Sequence, residues 1–118
     1  FRSEGEGKFV YDEANDRIRT SMRGSKFLLS YSDSGYLQYY PATDSVSWEV
    51  WDSWGKHSLY WGMIDGDQLI ADRIHKKKNY RVKVEFPHPD TLDFRLIVTT
   101  PDNDTYDRAM FRLWRVKD

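Results

Sequence analysis

The chain has 118 residues, 39% hydrophobic and 31% charged, with a net charge of −1 from 18 basic and 19 acidic side chains. That length fits a single domain spanning 1–118, no apolar run approaches the ~18 residues of a membrane-crossing helix, and the balanced charge lacks the basic surplus that nucleic-acid binding draws on. Cysteine is absent, which excludes a disulfide framework, a thiolate-held metal and a Cys nucleophile.

Apolar and polar residues alternate along most of the chain, the side-chain period of a half-buried strand. About ten stretches show it: 5–11, 17–23, 26–32, 36–40, 45–52, 57–64, 68–75, 79–86, 92–99 and 106–116. Asp33-Ser34-Gly35 reads as a turn, as do Pro41 to Asp44, Asp65-Gly66, Pro87 to Asp90 and Pro101 to Asp104; these are the residue types that turns select. The basic run Lys76-Lys77-Lys78 falls between two stretches and reads as a solvated turn. Val46, Trp48 and Val50 share one face, as do Tyr80, Val82, Val84 and Phe86, and Leu92, Phe94, Leu96 and Val98. Near the end, Ala109, Phe111 and Leu113 are expected to face inward, which turns Arg112 outward; the opposite phase would put Arg112 inside, where it could fork onto an anionic group.

Turn lengths then set a register. A four-residue loop at 41–44 pairs Tyr39 with Val46 and Leu37 with Trp48. One at 53–56 pairs Val50 with Leu59, Trp48 with Trp61 and Val46 with Met63. A two-residue Asp65-Gly66 loop pairs Trp61 with Ile70 and Leu59 with Asp72. Together these place Leu37, Tyr39, Trp48, Trp61, Met63 and Ile70 on one inner face, continuing through Val84 to Phe94. Short connections favour antiparallel neighbours. A one-sided sheet with no helix to cover it is expected to close on itself. The expected fold is therefore all-β, an antiparallel meander of about ten strands in a closed or half-open barrel, with a two-sheet sandwich as the alternative.

The stretch from Gly35 to Val116 resembles the calycin-like barrels, a group that includes lipocalins and uncharacterised lipocalin-like families. The resemblance lies in Tyr39-Tyr-Pro-Ala-Thr43 before a strand, the Asp65-Gly66 turn, and a closing Arg-bearing strand from Phe111 to Val116. It departs from the group at the start, where Gly5-Glu-Gly7-Lys-Phe9 stands in place of an opening Gly-x-Trp. The resemblance implies the holding of a small ligand.

Few residues point to chemistry. His57, His75 and His88 lack zinc spacing, and no nucleophile motif or glycine-rich phosphate loop occurs. Neither metal nor cofactor is expected. Asn103-Asp-Thr105 fits a glycosylation acceptor, a short pattern that also arises by chance. In the register above, His57 and Asp72 share the inner face and would make an acid–base pair or two partly solvated rim groups. The leading expectation is a non-enzymatic barrel holding a small apolar or aromatic ligand, walled by Tyr39, Trp48, Trp61, Met63 and Phe94 with Asp72 as polar anchor. Two alternatives stand beside it. One is a barrel enzyme (cyclase, isomerase or hydrolase) using His57 with Asp72; the other is a filled-core interaction domain with Tyr36, Tyr40 and Trp51 outside. Oligomeric state and compartment are open, and a start at Phe1 is read as a processed, trimmed or excised chain.

Overall fold

The computed structural model describes residues 3–26 and 29–116. Nine strands follow one another around a closed barrel: β1 Ser3–Asp12, β2 Arg17–Lys26, β3 Leu29–Tyr40, β4 Ser45–Asp52, β5 His57–Asp65, β6 Gln68–His75, β7 Lys78–His88, β8 Thr91–Thr99 and β9 Thr105–Arg115. Every sequential pair is antiparallel, and β1 pairs with β9 in parallel, Gly5 opposite Phe111. The parallel closure follows from strand number, because an up-and-down meander of odd count returns its last strand in the direction of its first.

Residues 29–32 of the expected stretch 26–32 join 36–40 in one strand, while Lys26 ends β2 and 27 and 28 lie outside the described residues. Asp33-Ser34-Gly35 is accordingly mid-strand rather than a turn. At Gly35 a side chain would meet the Glu49 carbonyl oxygen at 2.3 Å and the Trp48 indole nitrogen at 3.2 Å. That glycine serves close strand approach, not a reversal.

The β3–β4 register is as expected, Leu37 opposite Trp48 and Tyr39 opposite Val46. The β4–β5 register is one residue off: Trp48 pairs with Tyr60, Val50 with Ser58, and Val46 with Gly62. Its cause is the turn. The Asp52 carboxylate accepts from the backbone N–H groups of Trp54 (3.0 Å) and Lys56 (2.9 Å), and Gly55 takes a left-handed φ of 80°. This bulged turn uses an odd number of residues where an even-numbered loop was expected. Tyr60 therefore faces in, and Leu59, Trp61 and Met63 face out, which corrects the expected inner placement of Trp61 and Met63.

The β5–β6 loop is Gly66-Asp67 rather than Asp65-Gly66, so Trp61 meets Asp72. Only Gly66 has positive φ (62°), the requirement of a turn with glycine at its first central position. That shift moves partners by two and preserves faces, so β6 inherits the inversion of β5: Leu69 and Ala71 are buried, while Ile70 and Asp72 lie outside. Between β6 and β7 the expected Ile70–Val84 pairing is replaced by Leu69–Val84, which restores the expected phase. From there Val82, Val84, Leu92, Phe94 and Val98 are buried, as are Ala109, Phe111 and Leu113.

The barrel centre is filled. Trp48 is 6% exposed and packs its ring against Phe94 (centroids 5.3 Å apart) and Tyr60 (5.2 Å). Phe9, Leu92 and Leu113 are fully buried in the same cluster. Outside, strands β6 to β9 carry forked Arg–Asp pairs: Arg81 on Asp72, Arg95 on Asp107 and Arg112 on Asp93. Arg112 thus points outward, as its phase predicts.

Candidate functional site

The chain reverses at one end of the barrel between β1 and β2, β3 and β4, β5 and β6, and β7 and β8. Inward-facing positions near that end are apolar. Leu37, Val46 and Leu69 make a buried floor, with Ile18 beside them. Above the floor the inward side chains Tyr11, Tyr39, Ile64 and Phe86 stand 41–52% exposed around a depression of about 330 Å³. Below the floor the layer of Trp48 and Phe94 closes the barrel, so the depression is a mouth and not a channel.

Polar groups are confined to the rim. A three-residue 3-10 turn, Glu13–Asn15, links β1 to β2 and brings Asp12, Glu13 and Asp16 to the opening beside Arg17. Asp12 accepts from Asn15 Nδ2 at 3.0 Å and from Arg17 Nε at 3.3 Å. The Asn15 bond above all, against some desolvation, holds the Asp12 carboxyl below its usual range, and it stays ionised. The Tyr39 hydroxyl donates to Asp44 Oδ1 at 2.7 Å; that bond raises the phenol above its ordinary value and keeps it protonated.

The residues expected to form the site separate into three groups. Tyr39 is on the rim, and Trp48 and Phe94 lie beneath the floor, packed against each other. Trp61, Met63 and Asp72 are on the outer wall, where Asp72 is held in a forked pair by Arg81 at 2.8 and 2.9 Å. Asp72 is therefore corrected from a cavity anchor to a wall group whose charge is already answered.

His57 is also outside, 2.8 Å from Glu49 Oε2 and stacked on Trp51 with centroids 4.8 Å apart. It lies four positions before Trp61, the partner of Asp72, about 13 Å along the strand. The two groups of the expected acid–base pair thus have different partners and are not in contact. Tyr36, Tyr40 and Trp51 face outward as expected, and Tyr40 and Trp61 pack together over the buried Ser47. Among the described residues no group of His, Asp or Glu could hold a metal ion.

Sequence reasoning missed Tyr11, Ile64 and Leu69 at the mouth and Asp33 at the opposite end. Tyr11 is in phase with Phe9, a signal that was available. Asp33 is 7% exposed; Tyr31 donates to its Oδ2 at 2.6 Å, and its Oδ1 is buried with no hydrogen-bond partner among the described residues. Desolvation pushes the Asp33 carboxyl up to about 6, opposed by the Tyr31 bond and reinforced by the charge of Asp52. No protein-family model, curated protein or solved structure matches the chain.

Proposed function

We propose that the protein is a non-enzymatic, lipocalin-like barrel that holds a small apolar or aromatic molecule in its mouth. The observation carrying this reading is the 330 Å³ depression with a buried Leu37, Val46 and Leu69 floor and exposed Ile64 and Phe86 on its walls. Large apolar groups exposed around a concave apolar floor are the usual form of a small-molecule site, and the volume falls at the lower end of the ~300–1,000 Å³ range of such sites. The ligand sits above the Trp48–Phe94 layer, not among its rings.

The test is titration with a neutral apolar fluorophore such as N-phenyl-1-naphthylamine. Saturable enhancement is expected, with affinity falling about tenfold in Ile64→Ala or Phe86→Ala as apolar contact area is removed. Trp61→Ala should bind as the parent does. Binding lost in Trp61→Ala and retained in Phe86→Ala would move the site to the outer wall and overturn the reading.

A second reading rests on that wall, where Leu59, Trp61 and Met63 are 38–60% exposed beside Trp51. Grouped exposed apolar side chains mark association surfaces. A sedimentation coefficient that rises with concentration in the parent but not in Trp61→Ser would favour it.

A further inference from the structure

The mouth is apolar inside and acidic around its opening. Asp12, Glu13 and Asp16 line it together with the Arg17 guanidinium. The neighbouring reversals add Asp44, Asp65 and Asp67 at the same end. These carboxylates differ from those of the outer wall. Asp72, Asp93 and Asp107 are each forked onto an arginine, whereas among the described residues Glu13 and Asp16 have no side-chain hydrogen bond or ion pair. The chain's own cations also sit on aromatic rings at this end, one on the outer wall and one at the rim. The Arg17 guanidinium lies 3.7 Å from the centre of the Tyr36 ring and bonds Asp12. The Arg115 guanidinium lies 4.6 Å from the centre of the Tyr11 ring, a mouth residue, and 3.7 Å from Asp90.

We infer that the occupant of the mouth is an amphiphilic cation, with an apolar body on the Leu37–Val46–Leu69 floor and an ammonium or guanidinium head among Glu13, Asp16 and the Tyr39 ring. This rests on the mouth being the ligand site. Two physical terms favour it. Unpaired carboxylates beside low-dielectric walls concentrate positive charge at the opening. Tyrosine faces attract a cation within about 6 Å of the ring centre. An anionic amphiphile would meet the same carboxylates as repulsion, and a neutral one would gain only from the floor.

The experiment is a displacement series at low ionic strength, with N-phenyl-1-naphthylamine as reporter and octyltrimethylammonium, octanol and octanoate as competitors. The cation is expected to compete at about fivefold lower concentration than the alcohol, the order produced by two net charges some way from the head. Octanoate should compete least. High salt should shrink the cation's advantage, and so should the double variant Glu13→Gln, Asp16→Asn, with octanol unchanged. Asn is chosen because Asp16 has a left-handed φ of 52°, a conformation Asn tolerates. Equal competition by all three, an octanoate preference, or a cation advantage undiminished in the double variant would each overturn this inference and leave the mouth reading standing. A reporter that fails to bind the parent protein would remove both.

Discussion

Asp33 sits in an environment at odds with what its chemistry prefers. An ionised carboxylate loses hydration when buried, and one hydrogen bond from Tyr31 does not replace it. Its value of about 6 in the folded protein lies above that of an unfolded aspartate, ~3.9. Between these two values the native state keeps a proton that the unfolded chain has released. The contribution of Asp33 to stability is therefore greatest below about pH 4, falls as pH rises to about 6, and is level above that. Replacing the carboxylate with its neutral isostere removes the penalty. Asp33→Asn is expected to be as stable as the parent near pH 4 and more stable at pH 7, by roughly 2–3 kcal/mol at most. Urea unfolding of both proteins across that interval reads the difference directly, and a gap independent of pH would contradict it. The residue was hidden in the sequence because Asp33-Ser34-Gly35 matches turn chemistry. The competing signal was its phase with Leu37 and Tyr39, which alternation alone ranks no higher than a turn triplet.

At the level of strands, the faces of the second half of β3, of β4 and of β7 to β9 were legible because polar residues mark one side of each alternation. Strands β5 and β6 were not, since both of their faces are apolar. Tyr60 competes with Leu59, Trp61 and Met63, and Leu69 and Ala71 compete with Ile70 and Ile74. With no polar face to decide, turn length alone set the phase, and the bulged turn at Gly55 contributed the unexpected residue. That single shift carried Trp61, Met63 and Asp72 from the expected cavity to the wall. The phase returns at the next reversal, where His75 pairs with Lys78 and both loop residues have positive φ, 50° at Lys76 and 66° at Lys77. Two positive values define the hairpin turn that Asn-Gly fits best, and each costs a lysine about 1–2 kcal/mol. The double substitution Lys76→Asn, Lys77→Gly is expected to stabilise the protein by about 1–2 kcal/mol and to raise its melting temperature by several degrees. The loop side chains are exposed, so no packing loss offsets the gain. An unchanged or lowered midpoint in thermal denaturation would argue against a turn of this kind.

For the molecule as a whole, closure and filling act together. Closing nine strands removes every exposed sheet edge, and the enclosed volume is then taken up by rings, with Trp48 meeting Phe94 and Tyr60 at the centre. Such a barrel has space for a guest only outside its filled centre. Stability is assigned to the ring layer, and the proposed binding to the mouth above it. Phe94→Ala removes a 3%-exposed ring from the centre and is expected to cost about 3–5 kcal/mol, the transfer of the ring plus the cavity left behind. Met63→Ala removes a side chain that is 60% exposed on the wall and should stay within about 0.5 kcal/mol of the parent. Phe86→Ala, on a half-exposed mouth residue, should cost little stability while weakening the reporter. Unfolding and reporter titrations on the same three variants separate the layers. A Phe94→Ala protein as stable as Met63→Ala would show that the centre is not packed as a core. A Phe86→Ala protein that loses stability and affinity together would join the mouth to the core.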